Sequence, residues 1–167
     1  MKNKSNSEIN NMNIRLKKAF IDDSQQIHKM QIAGYKALLE KYRDYETNPG
    51  AETLERVQRR FSFDTVDQYF IRLNDKNIGY IRIQRIDEDI YRLSQMFILP
   101  EFQEKGYAQK AIKQAESLYP QAKKWILDTI KQETKLCHLY EKMGYQLTGV
   151  EKSIKEGMDS VDYSKIV

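Results

Sequence analysis

Only one cysteine, Cys137, occurs in the 167 residues, so no internal disulfide can staple this chain. Its two histidines, His28 and His138, are far apart, and no Cys/His group has metal-ligand spacing; no metal site is expected. Cys137 and His138 are neighbours, which on a helix turns their side chains about 100° apart, a poor nucleophile–base arrangement. With three prolines and seven glycines, neither a fibrous repeat nor a long linker is indicated. No apolar run approaches the ~18 residues of a membrane helix. Met1 to Met12 is polar and rich in Asn, Lys and Ser, without the apolar core of a signal peptide. A reduced, cytoplasmic protein is expected, with residues 1–12 as a disordered leader.

Present instead is the composition of one soluble domain, spanning 13–167. The chain is 40% apolar and 31% charged, and its length suits one core rather than two. A net charge of +4 and a pI of about 9.0 are compatible with a polyanionic small ligand or with nucleic acid. The eleven tyrosines are scattered rather than interleaved with basic residues, and no RNA-binding signature is present, so nucleic acid is not expected. No membrane partner is expected either, and a homodimer is compatible with everything above.

Along the chain, Asn13 to Phe20 alternates weakly, as a strand. Asp22, Asp23 and Ser24 offer helix caps for a helix to about Asp44, with Ile27, Met30, Ala33, Ala37 and Leu38 near one face. Asn48-Pro49-Gly50 breaks the chain, and a shorter helix follows over about 52–61, with Leu54 and Val57 inward. Strands are expected at 68–73 and 77–86 around the hairpin signal Asn74-Asp75-Lys76, and again at 90–99. A helix over about 104–119 carries its stripe at Ala108, Ala111, Ile112, Ala115 and Leu118. Then come a buried strand at 124–129, a helix over about 133–143 burying Leu136, Leu139, Tyr140 and Met143, a C′ glycine at Gly144, and strands at 145–150 and 161–166. This order predicts an α/β fold: a mixed, mostly antiparallel sheet of six to seven strands with helices on both faces.

The stretch Gln103-Glu104-Lys105-Gly106-Tyr107-Ala108 lies between a strand and a helix start. Such a helix end presents unpaired N–H groups and a partial positive charge, and Gly106 would let backbone approach a ligand. The run Phe97-Ile98-Leu99-Pro100-Glu101-Phe102-Gln103-Glu104-Lys105-Gly106-Tyr107-Ala108 resembles the coenzyme A motif of the GNAT superfamily of acetyltransferases. That motif is a strand ending near proline, followed by Gln/Arg-x-x-Gly-x-Gly/Ala. A second family-like element follows in the right order as Leu139-Tyr140-Glu141-Lys142-Met143-Gly144-Tyr145. The resemblance is specific over about residues 67–150.

The resemblance implies the GNAT-like fold with strands four and five splayed, and acetyl-CoA as co-substrate. It implies transfer of an acetyl group to a primary amine of a small molecule or protein, by direct attack in a ternary complex. Met96, Phe97 and Ile98 would pair with pantetheine; Gln103, Glu104, Lys105, Gly106, Tyr107, Ala108 and Gln109 would surround the pyrophosphate. Tyr140 takes the place of the proton donor to the leaving thiolate, and Asp128 that of a base acting through water. Glu133 stands where many relatives have a pantetheine-contacting asparagine, and it either touches the cofactor or caps the helix. Tyr35, Tyr42, Arg43, Asp44, Tyr45 and Glu46 fall in the region that sets acceptor choice. They would suit a cationic amine such as a polyamine, an aminoglycoside or a protein N-terminus, or equally form an ordinary exposed helix end. The alternative is a non-catalytic coenzyme A-binding or regulatory module of the same fold.

Overall fold

The computed structural model describes residues 13–167; the leader expected at 1–12 lies outside them. Seven strands form one sheet: β1 (Ile14–Lys18), β2 (Val66–Leu73), β3 (Lys76–Arg85), β4 (Ile90–Ile98), β5 (Lys124–Ile130), β6 (Gln146–Lys155) and β7 (Met158–Ile166). Their spatial order is β1-β2-β3-β4-β5-β7-β6. Every pairing is antiparallel except β4 with β5, where a helical crossover returns the chain in the same direction. The helices are α1 (Ser24–Tyr42), α2 (Leu54–Arg59), α3 (Tyr107–Ser117) and α4 (Thr134–Lys142). No helix among the described residues is long and apolar enough to cross a membrane.

Hydrophobic clusters cover both faces of the sheet. The larger joins Ile78, Ile81, Ala111, Ile112, Trp125 and Tyr140; the smaller joins Ile27, Met30, Val57, Phe70, Tyr80 and Phe97. A sheet buried on both sides reads as nearly continuous apolar runs, as Ile78–Ile81 of β3 and Met96–Ile98 of β4 do.

Two amphipathic stripes differ from the expected ones. In α1 the inward positions are Ile27, Met30 and Gln31, while Ala33 and Ala37 face solvent. The reason is polar: Gln31 Nε2 donates to Pro49 O at 2.6 Å and Gln31 Oε1 accepts from Gln95 Nε2 at 2.9 Å. A fully satisfied amide is tolerated inside, so the helix turns by one residue and brings Tyr35 inward as well. In α3 the helix begins at Tyr107, which is buried, and Leu118 at the far end is 48% exposed. At α4, Tyr140 and Met143 are buried as expected, whereas Leu136 and Leu139 are half-buried.

β6 and β7 form a hairpin through Glu156-Gly157, and β7 inserts between β5 and β6. Both strands are longer than expected. β6 is exposed at nearly every position, so no alternation announces it.

Candidate functional site

β4 and β5 pair only over Ile90–Arg92 and Lys124–Ile126. Beyond that they part. The cause lies on the other side of β4: Arg82 pairs with Gln95 and Ile83 with Leu93, leaving Ser94 as an extra residue. A bulge of this kind bends its strand and increases the twist. Leu99 N donates to Ile78 O at 2.8 Å, so by strand alternation the backbone groups of Met96 and Ile98 point away from β3, into the gap. Met96 O accepts from Tyr35 Oη at 3.3 Å and Ile98 O from Gln103 Nε2 at 2.8 Å.

The loop after β4 crosses one end of this gap. Glu104 (φ 61°) and Gly106 (φ 79°) are both left-handed, and Gly106 is the residue from which α3 starts. A Cβ placed on Gly106 would meet nothing within 4 Å. A cavity of 340 Å³ opens here, lined by Gln103, Glu104, Gly106, Tyr107, Ala108 and Gln109 on the loop side. Met96, Phe97 and Ile98 form its floor, and Lys135, Leu136 and Leu139 of α4 its opposite wall. Lys105 is exposed and outside this lining. Lys135 Nζ reaches Glu104 Oε1 at 2.6 Å across the mouth, holding the Glu104 carboxyl below its usual range and the ammonium above its own.

A second cavity, of 450 Å³, shares Tyr35, Leu38, Met96 and Leu136 with the first. It contains both expected catalytic residues, Tyr140 and Asp128. Tyr140 is 6% exposed, with its ring against Tyr145 and Tyr163. Burial, then the charges of Asp128 and Cys137, raise its phenol well above the ordinary tyrosine range, so it keeps its proton. Asp128 is half-exposed at the end of β5, with Arg92 Nη2 3.5 Å from Oδ1 and Ser160 Oγ 3.5 Å from Oδ2. Among the residues expected to set acceptor choice, Tyr35, Asp44 and Glu46 line this cavity.

The Acetyltransferase (GNAT) family matches residues 35–145, two-thirds of the chain, a span that holds the β4–β5 gap, the Gly106 loop, Asp128 and Tyr140. The chain belongs to the GNAT acetyltransferase family. Solved structures agree in fold. This acetyltransferase is similar to one from Thermus thermophilus at 13% identity, with a TM-score of 0.73 over 94% of this chain and 99% of that one. It is similar to a spermidine N-acetyltransferase from Vibrio cholerae, in complex with CoA and spermine, at 20% identity, with a TM-score of 0.73 over 92% and 95%. A PaiA N-acetyltransferase from Thermoplasma acidophilum, in complex with coenzyme A, matches at 17% identity, with a TM-score of 0.69 over 93% and 100%. A search of curated protein sequences finds no match.

Glu133, like Lys105, lines neither cavity of this GNAT enzyme. Its Oε2 accepts from Lys41 Nζ at 2.7 Å and from Tyr42 Oη at 2.6 Å. No side-chain cap to α4 is made. The carboxylate therefore ties the C-terminal turn of α1 to the start of α4. Two residues of the second cavity, Arg82 on β3 and Gln95 on β4, were not anticipated as site residues. Gln31 on α1 stands behind them and completes a chain. Arg82 Nη1 donates to Gln95 Oε1 at 2.9 Å, and Gln95 in turn donates to Gln31. The signal was present in Ile81-Arg82-Ile83, a charge flanked on both sides by apolar residues in a strand buried on both faces.

Proposed function

We propose that this enzyme transfers the acetyl group of acetyl-CoA to a primary amine by direct attack in a ternary complex. The observation that carries the proposal is the junction of the two cavities at Tyr35, Met96 and Leu136. One cavity has a helix N-terminus and an open glycine at its mouth; the other holds a protonated phenol and a carboxylate.

The first cavity fits coenzyme A. The first-turn backbone N–H groups of α3 and the dipole of that helix suit a pyrophosphate. The empty space over Gly106 admits it without a Cβ in the way. Lys135 is placed to exchange Glu104 for a phosphate oxygen. The carbonyls of Met96 and Ile98, held here by Tyr35 and Gln103, face the gap in which pantetheine amides would lie. Acetyl-CoA supplies the activated thioester; the protein supplies position and protons. Asp128, through a water, draws a proton from the acceptor ammonium so that the nitrogen lone pair is free. Tyr140, still protonated, hydrogen-bonds the sulfur as the C–S electron pair moves onto it. The sulfur takes up the second proton that the attacking nitrogen sheds as the amide forms, relayed through the phenol, which ends the cycle protonated. Cys137 lines neither cavity, and its Sγ donates to Ile130 O and Lys131 O at 3.7 Å, which supports transfer without a cysteine relay.

The test is thiol release from acetyl-CoA over a panel of primary amines, with product mass confirming acetylation. Tyr140→Phe is expected to lower kcat by about a hundredfold, as loss of one general acid does, with acetyl-CoA affinity retained. Unchanged kcat would remove Tyr140 from the mechanism, and thiol release independent of every amine would sink the transferase reading.

A further inference from the structure

The acceptor cavity is unevenly charged once its internal pairs are counted. Glu52, with Arg60 Nη2 2.5 Å from its Oε2, is spent on that arginine. Asp44 is 5% exposed; it accepts from the Thr47 backbone N–H at 3.1 Å and from the Thr47 hydroxyl, closing its own turn. Asp128 is shared between Arg92 and Ser160, and Glu46 and Arg56 are exposed at the rim. Arg82 is different. It lines the cavity from the middle of β3 and forms no ion pair among the described residues. It donates to the neutral amide of Gln95 and hydrogen-bonds the Tyr80 phenol, and neither partner carries a charge. Its guanidinium feels both Arg60 and Glu52, and burial pulls its pKa down from the usual arginine value. In this corner the Glu52 carboxylate is in ion-pair contact with Arg60 and not with Arg82.

A buried cation without a counter-ion is costly, and a guanidinium is a planar fork whose geometry matches a carboxylate. Opposite Arg82 lies the bulge at Ser94. Ser94 lines the same cavity, and its buried hydroxyl has no hydrogen-bond partner among the described residues. Tyr35 lines the same cavity as Arg82 and Tyr140, so a single small molecule in it can present one end to each.

From this we infer that the acceptor is an amine that also carries a carboxylate, an α-amino acid or a closely similar small zwitterion, and that Arg82 holds the carboxylate. The inference rests on the acetyl transfer proposed above and narrows its acceptor. The carboxylate takes the remaining N–H groups of Arg82 and the hydroxyl of Ser94, while Gln95, anchored by Gln31, keeps the guanidinium in place. The amine end is directed toward Tyr140 and Asp128. A polyamine has no group for Arg82 and would bring more positive charge beside it. The amine acceptor expected from the carboxylates and tyrosines at 35–46 is thus recast: of its acidic residues Asp44 is internally bonded, and Glu46 lies at the rim.

The experiment uses the full chain and begins with calorimetry of acetyl-CoA, which tests the underlying reading alone. Glycine, methionine, phenylalanine and glutamate, each beside its carboxamide, and spermidine are then titrated into the coenzyme A-saturated protein and assayed for thiol release with acetyl-CoA. At least one acid is expected to bind more tightly than its amide, and to react with a higher kcat/KM, by about ten- to a hundredfold, the range for a hydrogen-bonded charge. Arg82→Gln keeps a partner for Gln95 and should fold; it is expected to bring acid and amide within about threefold of each other, while Arg82→Lys, with charge but no fork, falls between. If acetyl-CoA binds but no acid outbinds its amide, or spermidine is preferred, the inference is overturned and the transfer reading stands. A folded Arg82→Gln protein that keeps the full preference for the acid overturns it as well. No binding of acetyl-CoA would end both.

Discussion

Gly106→Ala separates what this glycine does for the fold from what it does for the ligand. Its φ of 79° is a backbone region that side chains other than glycine rarely enter, but no atom lies within 4 Å of where the new Cβ would sit. The cost to stability is therefore backbone strain alone, about 1 kcal/mol after the gain from a stiffer unfolded chain. For a protein of this size that lowers Tm by about 2–4 °C. The ligand loses more. The methyl group would enter the space through which the backbone reaches a pyrophosphate, and loss of one hydrogen bond to a charged group is worth about 1.5–3 kcal/mol, roughly ten- to a hundredfold in Kd. Gly157 supplies the control: it has a φ of 77° and the same empty surroundings, but sits in the β6–β7 turn. Gly157→Ala should match the drop in Tm and leave acetyl-CoA affinity unchanged. Differential scanning calorimetry and isothermal titration read the two quantities. Equal acetyl-CoA affinity in both variants would refute the placement of the phosphates at this loop.

Asp128→Asn is expected to lower kcat/KM by about tenfold near neutral pH and to recover as pH approaches the acceptor's own pKa, where the amine is already neutral; a pH-independent loss would argue for a purely structural role. Glu133→Ala should loosen the last turn of α1, seen as faster amide exchange at 39–42, and leave the acetyl-CoA Kd within about threefold, whereas a tenfold weaker Kd would place its carboxylate on the cofactor. Stability should be flat to about pH 9.5 and then fall steeply. Burial raises Tyr80 to about 12 and lifts Tyr35, Tyr119, Tyr140, Tyr145 and Tyr163 as well. The unfolded chain, ionising near ~10, then releases protons that the native state still holds. Each such tyrosine adds up to about 1.4 kcal/mol of lost stability per pH unit above ~10. Urea titrations from pH 7 to 11 check this, and an unchanged midpoint at pH 11 would contradict it.

The strand–loop–helix around Gly106, the Asn74–Lys76 hairpin and the glycine ending α4 were legible because each depends on local chemistry: a glycine where φ is positive, a turn, a 3.6-residue stripe. Tyr140 and Asp128 were placed by their surroundings and do share a cavity. What escaped the sequence were features set across the sheet. β7 slips between β5 and β6 through pairing between distant segments, and the exposed β6 has no pattern to betray its length. The inward turn of α1 is dictated by Gln31 bonding to Pro49 and Gln95, far from it along the chain. Lys41 and Tyr42 reach Glu133 across 92 and 91 positions, and no local pattern encodes that clasp. Arg82 was passed over because a lone arginine in a strand ordinarily faces water, and only the helix lying over β3 and β4 encloses it.

The central claim is that the gap between β4 and β5 is a coenzyme A site, and thermal unfolding with and without acetyl-CoA, with NAD and ATP as controls, tests it most directly. At a hundred times its Kd, a ligand that binds only the folded protein adds about 2.7 kcal/mol, a rise of roughly 5–10 °C at this chain length. The account predicts that rise for acetyl-CoA, and a much smaller one for NAD and ATP. A folded sample whose Tm does not move with acetyl-CoA, or moves equally with all three, would contradict it.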